Sequence, residues 1–350
     1  MKKMRVGAIN WDASLPSDTY FGFYQTNSLS QEKYREWTPF YAELLSNEKA
    51  EYRTRTPEEY EREMQYAIDA GIDYFAFVWY PEEGSKSHIQ TSFNDCSHKV
   101  YELNYARRLY EKSTLKDNLG ACAILGNHPF TEGDLAELVT AFREPYYEKI
   151  DGKPLLYIYG GYREKTIEKI HSMCRENGQS EPFTVPMVIT AEGAEKMPLA
   201  SALSAYAVGV SGISSHDELI DGAIEANKNR FSDDLALIPT FTVGWNPTPR
   251  IERKTPWTTL PDGASIYANR SYAPRATDNE LIDGARRFVQ FLNDLASERL
   301  VGHILTFAWN EFEEGAYICP TYTKNREISL SRIKAFSEIS RIFKEGVLQK

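Results

Sequence analysis

The sequence has little cysteine and no long apolar run. Its four cysteines, among 350 residues, lie far apart and form no C-x-x-C pair. Zinc fingers and thiol redox motifs are therefore excluded, and a disulfide framework is not expected. No apolar stretch approaches the ~20 residues that a membrane-spanning helix needs. No apolar segment follows the basic N-terminus either, so we expect no secretory signal in this chain.

Basic residues are outnumbered by acidic ones. Lys plus Arg is 40 and Asp plus Glu is 50, which gives a formal net charge of −10. This balance disfavours non-specific binding to nucleic acid or to an anionic membrane, and we expect neither partner. We expect a cytoplasmic protein as the chain stands, or a periplasmic or secreted one if a leader was removed. The sequence leaves the oligomeric state open.

Motifs for metals and phosphates are also missing. The histidines show no ligand spacing with one another, and no cluster of His, Asp and Glu has the spacing of metal ligands, so we predict no metal site. The first apolar run ends in Asn10-Trp11-Asp12, with no G-x-G-x-x-G loop. We therefore predict no cofactor.

What the sequence does have is an alternation of short apolar runs with helical patterns. The runs are rich in Val, Ile, Phe and Tyr, as buried parallel strands tend to be. Eight such runs cover residues 5–11, 73–80, 119–125, 154–160, 183–190, 205–212, 235–244 and 301–309.

Helical patterns fill the intervals between these runs. Thr56 and Thr277 each stand three residues before a glutamate, a capping box that predicts a helix start. Thr131 precedes another apolar repeat with helical spacing. The acidic stretch 58–63 predicts a solvent-facing side of the first of these helices. Further helical patterns cover 164–177, 217–229 and 326–343.

Eight strands that alternate with helices predict an α/β protein, a (β/α)8 TIM barrel that forms a single domain over residues 1–350. A doubly wound sheet would also alternate, but the glycine-rich loop typical of it is missing. The segments after the first and seventh runs, 12–56 and 245–276, are long. Since the sites of such barrels are built from the loops that follow the strands, we expect both segments on one face.

The residues at and near the ends of the runs are aromatic or can bind hydroxyl groups. Tryptophan stands at the end of four of the eight runs or one residue from it, and flat aromatic faces suit the C–H faces of sugar rings. The alternative is that the large aromatic side chains only seal the mouth of a barrel. We predict a carbohydrate substrate bound by Trp11, Asp12, Trp79, Tyr80, Asn127, His128, Tyr159, Glu192, Trp245, Asn246, Arg250, Trp309, Asn310 and Tyr317.

The segment 309–315, Trp-Asn-Glu-Phe-Glu-Glu-Gly, follows the last run and has three carboxylates within four residues. Carboxylates this close repel one another, which can raise the pKa of one of them, as a general acid requires. Glycosidic cleavage needs one protonated and one ionised carboxyl group. Glu311 and Glu314 can face the same side of a turn, with Glu313 pointing elsewhere. The alternative is that Glu313 and Glu314 cap a helix start in water.

The segment 309–315 also resembles the W-N-E-x-x-E-G motif of glycoside hydrolase family 99 and its broader 99-like group. That group includes WbsX-like proteins, which are often described as glycosyltransferases. Segments 70–80, 147–155 and 244–250 are similar too, so the resemblance covers nearly the whole chain. Asn246 and Cys319 depart from the group, since relatives tend to carry an acidic residue at these positions.

The resemblance implies a (β/α)8 barrel and a retaining α-glycosidase for a glycan of manno type or a related one. By motif position it implies that Glu311 acts as a base on the sugar's own 2-hydroxyl and that Glu314 protonates the leaving oxygen. A 1,2-anhydro sugar then forms and is opened by water. The residues alone do not choose this route over direct nucleophilic attack. These roles lead us to expect a raised pKa at Glu314 and hydrogen-bond donors around Glu311.

Four of the predicted residues also have simple structural interpretations. Asp12 can bind a sugar hydroxyl or cap a loop, and His128 can bind sugar or lie beside a turn. Glu192 can enter the pocket or stay solvated. Arg250 can contact the substrate or form a surface salt bridge.

Two other functions stay open beside the hydrolase. One is a glycosyltransferase of surface polysaccharide synthesis, although a phosphate-binding glycine loop and a D-x-D metal motif are missing. The other is a non-catalytic carbohydrate-binding barrel, which the clustered acids disfavour.

Overall fold

The structure, a computed structural model, describes residues 4–12, 15–81, 103–188, 196–230, 235–295 and 299–347. Within these ranges strands alternate with helices, as the apolar runs predicted. The strands are β1 Arg5–Asn10, β2 Tyr74–Trp79, β3 Gly120–Leu125, β4 Lys153–Ile158, β5 Phe183–Pro186, β6 Ala202–Leu203, β7 in two pieces, Ala236–Leu237 and Thr240–Thr242, and β8 His303–Phe307.

The strands pair in parallel, each with its neighbour along the chain. Pairing runs from β1 through β2, β3 and β4 to β5. A single parallel bridge between Met187 and Ser204 joins the end of β5 to the end of β6. Strand β6 pairs with the first piece of β7, the second piece pairs with β8, and β8 pairs with β1. The molecule is thus an α/β protein built on a parallel sheet.

The strands are apolar along their length because both faces are covered. All six residues of β2, Tyr-Phe-Ala-Phe-Val-Trp, are buried. The same holds for the five residues of β8. A strand that is buried on both faces needs no alternation of polar and apolar side chains.

Helices cover the sheet, and none of them in the described ranges is long and apolar enough to cross a membrane. Capping boxes form at Thr56, Thr131 and Thr277, where each hydroxyl accepts the N–H of the third helical residue. These boxes confirm the predicted starts. The helices are α1 Tyr20–Leu29, α2 Pro57–Asp69, α3 Tyr105–Lys112, α4 Glu132–Ala141, α5 Glu164–Glu176, α6 His216–Arg230, α7 Thr248–Glu252, α8 Asp278–Asp294 and α9 Ser331–Gly346.

Two predicted boundaries are wrong. Residues 205–212 form no strand, because the sixth strand already ends at Leu203. The apolar side chains of Ala205 and Val208 pack against α6 instead. The last helix begins at Ser331 rather than at residue 326, because two short strands, Thr321–Tyr322 and Ile328–Ser329, form a hairpin before it.

The long segments after β1 and β7 lie against each other. The first carries α1 and the second carries α7, and the two helices are in contact. Gln31, Lys33 and Tyr34 all donate hydrogen bonds to Glu252 of α7, at 3.2, 2.6 and 2.9 Å. Both segments are therefore on one face, as predicted. The remaining short elements are the 3₁₀ helices Glu32–Trp37, Thr114–Asp117, Pro256–Thr258 and Phe312–Glu314, and the strands Ala42–Leu44, Ala50–Tyr52, Lys149–Ile150, Asn310–Glu311 and Ala316–Tyr317.

Gly7 of β1 lies against the ring of Tyr74 in β2. A Cβ atom at position 7 would be 2.1 Å from Cζ of Tyr74, and the Tyr74 hydroxyl is held by a 3.1 Å hydrogen bond with Tyr157. We predict that Gly7→Ala lowers the free energy of unfolding by about 1–3 kcal/mol, the usual range for an overpacked core. Urea unfolding measures this change.

Gly133→Ala is the matched control for this substitution. A Cβ there meets nothing closer than 3.7 Å, and alanine is the better helix former in α4. Equal stability of Gly7→Ala and the wild type would contradict the prediction.

Candidate active site

A cavity of about 450 Å³ lies at the carboxyl ends of the strands. Residues at or after the ends of β1, β2, β3, β4, β6, β7 and β8 line it, together with the long segments after β1 and β7. Ligand sites of parallel α/β folds lie at this end. The lining residues are Trp11, Phe21, Val78, Tyr80, Leu103, Gly126, Asn127, His128, Tyr159, Tyr206, Ala207, Trp245, Arg250, Trp257, Thr258, Ile266, Tyr267, Glu311 and Glu314.

The cavity brings together nine of the residues that the sequence singled out, and both glutamates of the motif are among them. The nine are Trp11, Tyr80, Asn127, His128, Tyr159, Trp245, Arg250, Glu311 and Glu314.

Asp12 and Trp79 do not line the cavity. The carboxylate of Asp12 accepts hydrogen bonds from the backbone N–H groups of Ala106 and Arg107, at 2.8 and 2.9 Å, in the first turn of α3. Burial raises the pKa of Asp12 to about 6, against these two bonds. The ring of Trp79 is covered by the Arg107 guanidinium, which lies 3.7 Å from its centre. Both side chains therefore serve the structure.

Trp309 is wholly buried, so it is not available to a ligand. Its indole N–H donates to Oε1 of Glu63 at 2.9 Å, and Oε2 of Glu63 pairs with Arg55 at 2.5 Å. Glu63 is itself buried, so the prediction of a solvent face over 58–63 is wrong at this residue. The ion pair and the indole together fix the start of the motif.

Asn310 joins the end of β8 to the end of β1. Its side chain accepts the backbone N–H of Trp11 at 2.7 Å and donates to the Trp11 carbonyl and to Oδ1 of Asn10, both at 3.0 Å. It does not line the cavity, but it holds Trp11, which does.

Asn246 and Tyr317 are also outside the cavity lining. The Asn246 amide donates to the carbonyl of Ala273 at 2.7 Å and accepts the N–H of Thr248 at 3.1 Å, which closes the loop before α7. The Tyr317 hydroxyl donates to the carbonyl of Glu36 at 2.6 Å. Glu192 lies outside the described residues.

Several lining residues were not predicted. Tyr206 was assigned to a sixth strand that does not reach it, so its position on a loop was missed. Trp257 and Tyr267 lie in the segment 245–276, which was expected on this face. No spacing pattern distinguishes one aromatic residue from another within such a loop.

The motif folds as a tight hairpin. The strand Asn310–Glu311 pairs antiparallel with Ala316–Tyr317, and the single 3₁₀ turn Phe312–Glu314 lies between them. Gly315 has a φ of +66°, in the left-handed region that favours glycine. A Cβ at Gly244 would lie 2.1 Å from the Gly315 carbonyl oxygen, so a glycine is needed on the facing loop too. This turn directs Glu311 and Glu314 into the cavity and Glu313 away from it.

Arg250 of α7 lies among three carboxyl groups. Its Nη1 donates to Oε1 of Glu314, and its Nη2 donates to Oε2 of Glu311 at 3.3 Å. The same Nη2 lies 3.6 Å from Oε2 of Glu313. All four side chains are buried. These three ion pairs are buried. The alternative drawn from the sequence, a surface salt bridge of Arg250, is therefore wrong.

Two tyrosines complete the contacts of the glutamates. The Tyr206 hydroxyl donates to Oε1 of Glu311 at 2.7 Å. The Tyr267 hydroxyl donates to Oε1 of Glu314 at 3.0 Å. Hydrogen-bond donors were expected around Glu311, and both glutamates have them.

Glu311 has a raised pKa. Burial and the neighbouring charge of Glu314 raise the pKa of Glu311 to about 8, although Arg250 opposes the shift. A pKa of about 8 favours the protonated form of Glu311 at neutral pH. Arg250 lies closer to the carboxyl group of Glu314 than to that of Glu311.

The arrangement offers one protonated and one ion-paired carboxyl group in a cavity walled by aromatic side chains. Such a pair can give and take protons at a bound molecule. In the described part of the chain, no three His, Cys, Asp or Glu side chains are placed to hold a metal ion.

Two solved structures of the GH99 endo-alpha-mannosidase from Bacteroides thetaiotaomicron share this fold. One, in complex with bis-tris-propane, has a TM-score of 0.61 at 12% identity over 99% of both chains. The other has a TM-score of 0.58 at 11% identity over 98% of both. No protein-family model and no curated protein matches the chain. At the level of fold, the likeness confirms the resemblance drawn from the motif.

The raised pKa of Glu311 predicts how stability depends on pH. At acidic pH Glu311 is protonated in both the folded and the unfolded state, and its contribution to stability is fully present. As the pH rises toward about 8, the unfolded chain releases this proton before the folded protein does, so the free energy of unfolding falls. The side chain of Glu311→Gln does not titrate. The stability of this variant relative to the wild type should therefore grow with pH and level off above about 8.

Urea unfolding across this pH range measures the effect. Glu327→Gln, at an exposed position, is the control and should keep a constant difference from the wild type. A pH-independent difference for Glu311→Gln would contradict the assignment.

Proposed function

We propose that this protein is a glycoside hydrolase that cleaves an α-linked glycan of manno type, or a related one, with retention of configuration. The observation that carries the proposal is a single cavity that contains both Glu311, with its pKa raised to about 8, and Glu314, paired with Arg250. Glycosidic cleavage needs one carboxyl group that holds a proton and one that is ionised. The likeness in fold to an endo-alpha-mannosidase supports the substrate class.

We also propose that residues 1–350 form one closed (β/α)8 barrel. Parallel pairing links each of the eight strands to the next, and β8 to β1, which supports closure. The mannosidase structures match 98–99% of the chain, which supports a single domain.

The walls of the cavity suit a sugar ring. Trp11, Trp245 and Tyr159 offer aromatic faces, and Asn127 and His128 offer polar groups for hydroxyls. The Arg250 guanidinium is engaged by carboxylates and is not free to receive a carboxylate or sulfate of a substrate. The preferred glycan is therefore uncharged.

The roles of the two glutamates follow the motif. Glu311 takes the proton of the sugar's 2-hydroxyl, Glu314 protonates the leaving oxygen, and water opens the 1,2-anhydro sugar. These roles need a proton on Glu314 and an ionised Glu311, whereas the raised pKa of Glu311 favours its protonated form in the ligand-free protein. A bound glycan would favour the transfer of a proton from Glu311 to Glu314. A hydroxyl that donates to Glu311 favours its ionised form, and a glycosidic oxygen that accepts from Glu314 favours its protonated form.

A glycosyltransferase is the second candidate, and the charge of the cavity disfavours it. A nucleotide-sugar donor carries phosphates that need cations or a metal ion. Arg250 is the only Arg or Lys that lines the described cavity, and it is already paired. A non-catalytic binding barrel is disfavoured by the two carboxyl groups that open side by side into the cavity.

Replacing either glutamate by glutamine tests the proposal. Glu311→Gln and Glu314→Gln should each lower turnover of α-mannosides by roughly 10²–10⁴-fold, the scale of losing one acid or base, with binding nearly retained. A substrate whose leaving group needs no protonation should partly rescue Glu314→Gln but not Glu311→Gln. A sugar without its 2-hydroxyl should not turn over at all.

Steady-state kinetics and calorimetric binding on a panel of α-mannosides give these values, with Glu327→Gln as the control. The opposite rescue pattern would exchange the two roles. Unchanged turnover in both variants would remove the assignment.

The pH dependence of turnover is a separate prediction. The site needs one proton on the glutamate pair, so kcat/KM should fall as the pH rises through about 8, where the free protein loses that proton. The alkaline limb in a pH profile of kcat/KM measures this pKa. An activity that stays level well beyond this pH would argue against a shared proton.

A further inference from the structure

The third glutamate of the motif, Glu313, has no part in the mechanism above. It is 0% exposed and does not line the cavity. Its Oε2 accepts a hydrogen bond from the side-chain amide of Gln25 on α1 at 3.3 Å and lies 3.6 Å from Nη2 of Arg250. Gln25 is also 0% exposed. Glu313 therefore lies behind the guanidinium, on the side away from the cavity.

Among the described residues, Arg250 is the one cation that forms an ion pair with Glu313. From α7 comes Arg250, from α1 comes the neutral Gln25, and from the strand Ala50–Tyr52 comes the phenol of Tyr52. Its own turn supplies the carboxyl groups of Glu311 and Glu314. Burial is the main influence on Glu313 and raises its pKa, while Arg250 opposes that shift.

The charges in this cluster do not balance unless some of its carboxyl groups hold protons. Three buried carboxyl groups share one guanidinium. With all three ionised, the interior would carry two uncompensated negative charges, which burial strongly disfavours. The cluster is neutral when two of the three hold protons. Glu311 is one of these, and Arg250 lies closest to Glu314, so Glu313 is the other.

Hydrogen bonding around Glu313 agrees with a neutral acid. Among the described residues, Oε1 of Glu313 and Oε1 of Gln25 have no hydrogen-bond partner. An ionised Glu313 would leave a charged oxygen unpaired in the interior, which is unfavourable. Because the oxygen and nitrogen of an amide are assigned only from the contacts around them, the Gln25 amide can be turned. Its oxygen would then accept the acid proton of Glu313 over the same 3.3 Å.

We propose that Glu313 is a neutral positioning residue, which with Gln25 supports Arg250 from behind and leaves its positive charge to Glu311 and Glu314. An ionised Glu313 would compete with Glu311 for Nη2, since their oxygens lie 3.6 and 3.3 Å from that atom. The effect on turnover rests on the proposed function. The protonation state of Glu313 does not.

Infrared difference spectra of the ligand-free protein test the protonation state directly. The carbonyl stretch of a protonated carboxyl group is distinct from the bands of a carboxylate. At neutral pH, Glu311→Gln and Glu313→Gln should each remove one protonated-carboxyl band from the spectrum of the wild type. As the pH rises through about 8, the band assigned to Glu311 should disappear first.

Glu148→Gln is the matched control. Glu148 is a buried glutamate whose pKa is lowered by hydrogen bonds from His303 and Arg5, against the effect of burial. Its replacement should remove no protonated-carboxyl band. If Glu313→Gln also removes none, Glu313 is ionised and the inference is wrong, whatever the protein's activity.

The positioning role is tested by kinetics. Glu313→Gln keeps a neutral polar group and should retain most of kcat, whereas Glu313→Leu removes the support of Arg250. The leucine variant should lose roughly tenfold or more in kcat at little change in KM, the scale of leaving one buried polar group without its partner. If Glu313→Leu does not fold, Gln25→Leu, which removes the partner on α1, should show the same loss in kcat at little change in KM. Equal kcat values in the glutamine and leucine variants would overturn the positioning role.

Discussion

The site depends on one guanidinium placed among three buried carboxyl groups. Arg250 is the only cation in the described part of the chain that pairs with Glu311, Glu313 and Glu314. One positive charge balances one carboxylate, which favours protons on the other two carboxyl groups. Burial and the neighbouring carboxylate together raise the pKa of Glu311, and the single guanidinium only partly opposes them.

The surrounding structure keeps Arg250 in that place. Helix α7 is tied to the segment after β1 by three hydrogen bonds to Glu252. The rings of Trp11 and Trp257 lie 5.4 and 6.0 Å from the guanidinium carbon. Trp11 is itself held by Asn310 at the end of β8. The first, seventh and last strands are therefore linked through the residues that carry the charge.

The ends of the strands could be predicted from the sequence because a buried strand forms a continuous apolar run along the chain. Its apolar run stops where the chain leaves the sheet, so Trp11, Tyr80 and Trp245 could be placed at one edge. The sixth strand was misplaced because it is only Ala202–Leu203, too short to form a run, while apolar residues that pack on α6 follow it. The same error hid Tyr206. Trp257 and Tyr267 lie on a loop whose path no local pattern describes.

The sequence by itself determined the alternation of strands and helices, the capped helix starts and the two glutamates that open into one cavity. Only the tertiary structure decided which carboxyl group holds the proton and which of the predicted side chains face the cavity. Protonation depends on distances between residues far apart in the chain, such as the 3.3 Å from Arg250 to Glu311. Orientation is decided in the same way, since Trp309 turns inward to a buried Glu63 that belongs to α2. The spacing of residues along the chain gives neither the protonation state nor the orientation, because both depend on contacts that form only when separate segments pack together.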